Sequence, residues 1–159
     1  MWLLREMKAL GLEPEFILDC YLMEFRPVVE HGVPVWHSGL TNQQSNRLKR
    51  IQKVALKIII GENYDSYTDT CKFFSLEKLS ERRVRLCSRY AAKLFLSDRR
   101  RQFFSPPDNL KSTIHSEKGL VKEKITRMKS AFNSPLNYLA RTINLNKEKI
   151  AKNLKPQNA

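Results

Sequence analysis

Acidic residues are scarce in this chain: 16 Asp and Glu stand against 29 Lys and Arg in 159 residues, a formal net charge of +13. An excess of this size favours contact with polyanions, nucleic acid or an anionic membrane surface, and it speaks to partners rather than to fold. Cysteine is also sparse. Cys20, Cys71 and Cys87 include no Cys-x-x-Cys pair, and His31, His37 and His115 are not spaced with a cysteine pair as structural zinc requires, so no metal or other cofactor is expected. An odd number of cysteines without an export signal argues against a disulfide framework. No apolar run approaches the about 20 residues of a membrane-spanning helix, and Glu6 follows Leu3-Leu4 too closely for a signal-peptide layout. The expectation is an intracellular protein, nuclear or cytoplasmic, without a membrane partner. Strict alternation of apolar and polar residues is missing as well, which leaves nothing to call for a sheet.

What is present is helical punctuation. Thr41 stands where an N-cap hydroxyl can accept a bond from the first turn of a helix starting near Asn42, and Gly61 stands where a left-handed residue can close it. Between them Leu48, Ile51, Ala55, Ile58 and Ile59 keep the spacing of one apolar face, while Arg50, Lys53 and Lys57 project from the other. A second helix, from about Glu77 to about Leu96, repeats the design. Leu79, Leu86, Cys87, Tyr90, Ala91 and Leu94 form its apolar stripe, and Lys78, Arg82, Arg85, Arg89 and Lys93 recur at steps of three or four with no acid among them. Such spacing costs about 0.2–0.5 kcal/mol per like-charged pair. The row reads either as a salt-screened solvated face or as a track for phosphates. Arg83 falls inside the apolar arc, where a buried arginine needs a partner, and Glu24, Asp19 and Glu30 are the candidates.

Leu3, Met7 and Leu10 suggest a short N-terminal helix ended by Gly11. Pro14 suits the first turn of the next helix, which continues through Phe16, Ile17, Cys20, Tyr21 and Val28 toward Pro34. Pro27 lies inside that pattern and is expected to kink or split it near Arg26. A short helix is expected around Tyr67 to Phe73. After Ser97 the apolar residues thin out and lysines accumulate. The fold class is therefore all-α: a small irregular bundle of three to four main helices over 1–97, a mostly irregular basic arm over 98–134, a short helix over 135–145 and a disordered tail over 146–159. Trp36-His37 reads as a loop anchor or as a base-stacking pair, and Tyr64 and Tyr67 as covers of a helix end or as nucleic-acid contacts.

The order Arg26-Pro27-Val28-Val29-Glu30-His31-Gly32-Val33-Pro34-Val35-Trp36-His37-Ser38-Gly39-Leu40-Thr41, the Arg47–Gly61 helix, Tyr64-Asp65-Ser66-Tyr67 and Leu76-Glu77-Lys78-Leu79-Ser80-Glu81-Arg82-Arg83-Val84-Arg85-Leu86-Cys87 resembles the C-terminal region of non-LTR retrotransposon reverse transcriptases, in the thumb and the helical segment after it. The similarity runs from Trp2 to Asn144 and is weaker beyond Arg101, where Arg127, Ser134-Pro135 and Tyr138-Leu139 still match the closing segment. These polymerases hold two metal ions on palm aspartates, one pair following a Tyr-Ala or Phe-Ala dipeptide. This chain has no Asp-Asp pair; Asp19, Asp65, Asp69, Asp98 and Asp108 are scattered, so no catalytic residue carries over. The resemblance implies a non-catalytic, thumb-like support that grips an RNA or DNA duplex through phosphates, with Lys78, Arg82, Arg85, Arg89, Lys93, Arg50, Lys53 and Lys57 as contacts. A helical protein-interaction module that docks on a polymerase core or another partner is the alternative. A helix-turn-helix fits poorly, because the stretch from Gly61 to Leu76 exceeds the short turn of that motif.

Overall fold

In the computed structural model the described residues are 1–104, 121, 123 and 132–154, and among them there is no strand. The protein is all-α. Its helices are α1 (Trp2–Ala9), α2 (Pro14–Cys20), α3 (Arg26–Glu30), α4 (Val33–Trp36), α5 (Asn42–Ile60), α6 (Tyr67–Phe73), α7 (Leu79–Leu96), α8 (Asp98–Arg101), α9 (Pro135–Leu145) and α10 (Lys147–Leu154). Instead of one domain over 1–97, the chain forms two compact units, Met1–Gly32 with Leu40–Arg83, and Val33–Gly39 with Val84–Ala159. The division falls inside α7, and within the second unit α4 and the 3-10 turn after it, His37–Gly39, pack on α9.

Three helices of the first unit, α1, α5 and α6, end for identifiable chemical reasons. In α1 the backbone N–H of Gly11 donates to Lys8 O at 3.1 Å and that of Leu12 to Met7 O at 3.2 Å, with Gly11 at φ +74°. This is the paired closure that left-handed glycine permits. The same closure ends α6, where Ser75 N–H donates to Lys72 O and Leu76 N–H to Cys71 O, but the left-handed position is occupied by Ser75 at φ +50°. Helix α5 opens on a capping box: Gln44 N–H donates to Thr41 Oγ1 at 3.2 Å, and Thr41 N–H donates to Gln44 Oε1 at 2.9 Å. It closes at Gly61, whose φ of +74° is positive as expected, although its ψ of −127° lies outside the left-handed helical basin. Lys8 Nζ donates to Ile59 O at 2.9 Å, setting a cation where the α5 dipole is negative.

Pro27 neither breaks nor sharply splits its helix. Between α2 and α3 the turn from Tyr21 to Phe25 widens to π-helix, and Arg26 N–H donates to Tyr21 O, five residues back. The wider turn accommodates an imide that has no N–H to give and a ring that would strike the carbonyl four residues earlier.

Leu4, Ile17, Leu18, Tyr21, Ala55, Leu56, Ile59, Tyr67 and Cys71 make the core of the first unit. Fully burying a large apolar side chain contributes about 1.5–3 kcal/mol. Amid this core Gln52 is completely buried. Its Oε1 accepts from Tyr67 Oη at 2.7 Å and from Leu79 N–H at 2.9 Å, and its Nε2 donates to Glu77 O at 3.3 Å. One α5 amide thereby fixes α6 and the start of α7.

The second unit gathers Ala91, Leu94, Phe95, Phe104, Val121, Leu139, Ala140, Ile143 and Ile150. Within the stretch after Ser97, expected to be mostly irregular, α8 is a short helix and Phe104 and Val121 are buried. One expectation for the C-terminal part changes: the stretch after Asn146 is not disordered throughout, because Lys147–Leu154 is helix α10 with Ile150 inside. The apolar residues there are few, yet the Leu139–Ile143 face of α9 gives them something to cover. Asn144 ties the intervening chain down: its Oδ1 accepts from Val121 N–H at 3.1 Å while its Nδ2 donates to Val121 O at 3.0 Å and Glu123 Oε1 at 2.7 Å. The rest of the expected arm, 105–120, 122 and 124–131, and the tail beyond 154 lie outside the described residues.

Gln52→Leu removes the acceptor of two buried donors, Tyr67 Oη–H and Leu79 N–H, and is expected to lower unfolding free energy by about 2–4 kcal/mol, part of which Tyr67→Phe restores; urea unfolding of the single and double variants reads both effects. Ser75→Gly relieves a left-handed serine and is expected to stabilise by about 0.5–1 kcal/mol in the same assay. Burial pushes the Tyr21 phenol from 10.0 up to about 12. The folded state thus holds this proton longer than the unfolded state, so the associated stability is complete below pH 10 and is lost as pH rises toward 12. Thermal melts from pH 9 to pH 12 should show that loss, with a shallower decline in Tyr21→Phe.

Candidate nucleic-acid interface

The cations singled out from sequence fall into distinct environments. On α5, Arg50, Lys53 and Lys57 are all exposed and make no ion pair among the described residues. The apolar side of that helix is turned into the core through Ala55, Leu56 and Ile59, which leaves the opposite strip to solvent. Two further cations belong with them. Arg47 and Lys49 are exposed on the same helix, and their steps of three to Arg50 and four to Lys53 were visible in the sequence. Lys49 Nζ also stands 5.2 Å from the centroid of the Tyr67 ring, a cation–π contact worth about 0.5–1 kcal/mol at an exposed position.

Arg82 is placed differently. Its Nε donates to Glu30 Oε1 at 2.7 Å, and its Nη1 lies 3.8 Å from Glu77 Oε2. The same Glu30 oxygen accepts from Arg26 Nε at 2.7 Å, and the Arg26 and Glu30 side chains are only 9% and 11% exposed. Two guanidinium groups therefore share one nearly buried carboxylate, with Glu77 supplying the second negative charge. In such surroundings removal of one partner strands the others, a loss of about 3–5 kcal/mol when burial is complete. Arg82 has a structural role that Arg50, Lys53 and Lys57 do not. Lys78 is half-buried, with its Nζ 4.0 Å from Glu81 Oε1.

Arg83 is buried at 2% exposure, as its place in the apolar arc implied, and one of its bonds goes to a residue outside the expected set. Its Nη2 donates to Ser45 Oγ at 2.7 Å on α5, whereas Glu30 is engaged by Arg26 and Arg82, and Asp19 and Glu24 are exposed. Sequence spacing identified the burial; it carried no information about a hydroxyl from another helix.

In the second unit Arg85, Arg89 and Lys93 are exposed along α7. Opposite them Cys87, Ala91, Leu94 and Phe95 are buried. The aromatic candidates resolve toward packing. Tyr67 is buried on Gln52, and in the second unit the His37 ring meets Tyr138 edge-on at 5.4 Å.

Among the described residues no group of three or more His, Cys, Asp or Glu is placed to hold a metal ion. Burial pushes the Cys71 thiol up from its ordinary value, away from the thiolate. No described helix is long and apolar enough to cross a membrane. The arrangement offers exposed cations along helices, a chemistry suited to phosphate oxygens and indifferent to base sequence. No protein-family model, curated protein or solved structure matches this chain.

Proposed function

We propose that the chain is a non-catalytic, thumb-like support, similar to the C-terminal region of non-LTR retrotransposon reverse transcriptases, that holds nucleic-acid duplex by its phosphates inside the nucleus or cytoplasm. The observation that carries this reading is the exposed Arg50-Lys53-Lys57 strip of α5, which has no acidic partner among the described residues and adjoins exposed Arg47 and Lys49. Arg85, Arg89 and Lys93 of α7 are exposed cations as well. Lys78 and Arg82 contribute less, because both stand beside carboxylates of their own unit. A thumb does no chemistry: affinity comes from counterion release and is the same for any sequence.

A protein-docking role is the second reading, favoured by Trp2 and Phe16, which are 71% and 66% exposed, with Leu3 at 40%. Large apolar side chains left in water at the start of α1 and α2 suit a face that meets another protein, such as a polymerase core.

Binding of a labelled duplex across a salt series tests the first reading. Arg50→Gln/Lys53→Gln/Lys57→Gln is expected to weaken binding to every duplex and to shallow the slope of log K against log salt by about 2–3, at about 0.9 per lost phosphate contact, with the melting temperature unchanged. Arg82→Gln is expected to do the reverse, lowering the melting temperature while the folded protein keeps its salt slope. Wild-type binding by the triple variant at low salt would overturn the phosphate assignment. Loss of binding only in Trp2→Ser/Phe16→Ser would transfer the role to the docking face.

A further inference from the structure

The α5 strip accounts for cations, but the first unit also contains a feature of opposite sign. A cleft of about 520 Å³ is lined by Glu13, Glu15, Asp65 and Asp69 around an apolar floor of Pro14, Ile60, Phe73 and Phe74, with Asn63 and Thr70 completing it. No lysine or arginine lines it, although the chain carries 29 of them. The volume falls within the roughly 300–1,000 Å³ typical of small-ligand sites, and so does the combination of an apolar floor with a few polar groups.

Within this cleft, Glu13, Glu15 and Asp65 make no side-chain hydrogen bond or ion pair among the described residues. Asp69 accepts from the Ser66 hydroxyl and lies 3.5 Å from Lys72; the hydroxyl first and the lysine second hold its carboxyl below the usual range, so it stays ionised. Thr70 is 4% exposed, and its hydroxyl likewise makes no hydrogen bond among the described residues. Phe73 is 76% exposed, with its ring set edge-on against Phe74 at 5.0 Å and 79°. An aromatic face in water beside carboxylates is a place where an ammonium group gains from both.

The carboxylates come from two places, the entry to α2 and the segment leading into α6, and no three of them are grouped so as to ligate a metal ion. Charge distributed around an apolar floor suits a cation whose own charges are spread along a hydrocarbon chain. The geometry points to a binding site for an aliphatic polyamine, with its ammonium groups on the Glu13/Glu15 and Asp65/Asp69 carboxylates and its methylenes over Ile60, Phe73 and Phe74. This site uses none of the cations assigned to phosphate contact, so it stands or falls separately from the duplex-binding reading.

Calorimetric titration of the full chain with spermidine at low salt, paired with amide chemical-shift mapping, tests it. One saturable site is expected, with shifts concentrated at Glu13–Phe16 and Asp65–Phe74. Glu13→Gln/Asp65→Asn should weaken affinity roughly tenfold, the size of losing two surface ion pairs of about 0.7 kcal/mol each. Phe73→Ser should also weaken it, and Glu6→Gln/Glu148→Gln, outside the cleft, should not. All these side chains are exposed, and unchanged melting temperatures will show that the variants fold. Shifts spread over other acidic residues, equal affinity for butylamine, or displacement by magnesium at matched ionic strength would overturn the assignment. So would tighter binding at these amides by a lysine–leucine peptide, which would make the cleft a protein-docking groove.

Discussion

The buried amide of Gln52 is the constraint on which the first unit depends. Hydrophobic burial is not directional and would tolerate α6 and the start of α7 in many arrangements against α5. A carboxamide in a dry interior is less permissive: each of its polar atoms must be met, and an unmet one costs about 1–3 kcal/mol. Tyr67 Oη, Leu79 N–H and Glu77 O meet them, and that requirement sets the Tyr67 ring, the first turn of α7 and the connection before it in one arrangement. The Tyr67 ring in turn stands under Lys49, so the order of the core extends to a surface cation.

The charges divide by depth. Arg26, Arg82 and Arg83 are drawn inward, where Glu30, Glu77 and Ser45 receive them. The lysines and arginines on the outer side of α5 have no such counterparts among the described residues. A chain this basic repels itself when compact, and neutralising two guanidinium groups internally removes part of that repulsion while leaving an outward excess. On the proposed reading, that excess is what a duplex would meet.

Much of the fold was legible because its signals are local. Thr41, Gly11, Gly61 and Pro14 mark helix ends through their own backbone and side-chain chemistry: α1 ends just before Gly11, α2 begins at Pro14 and α5 runs between Thr41 and Gly61. The exposure of Arg50, Lys53, Lys57, Arg85, Arg89 and Lys93 followed from periodicity alone. What periodicity does not contain is the identity of a partner far along the chain. Gln52 looked like one more polar residue on a helix, Arg82 like one more member of a cationic row, and Arg83 like a search for a carboxylate. The hydrogen bonds that decide these roles span 15 to 52 residues. The π-turn before Pro27 and the packing of Phe104, Val121 and Ile150 are of the same type. Each depends on what another segment presents.

Asn144 shows what such dependence means for substitution. By offering Oδ1 to the Val121 N–H and Nδ2 to the Val121 carbonyl, it imitates with a side chain the two-way pairing that one strand residue offers another. A ladder built from backbone is blind to sequence, since nearly every residue carries the same N–H and C=O. A ladder of one rung built from an amide is bound to its residue type: aspartate of the same length offers two acceptors and no donor at neutral pH, and leucine of similar bulk offers neither. The attachment of the Val121 segment is therefore written in a single codon, a point where the second unit has traded the redundancy of a sheet for the economy of one side chain.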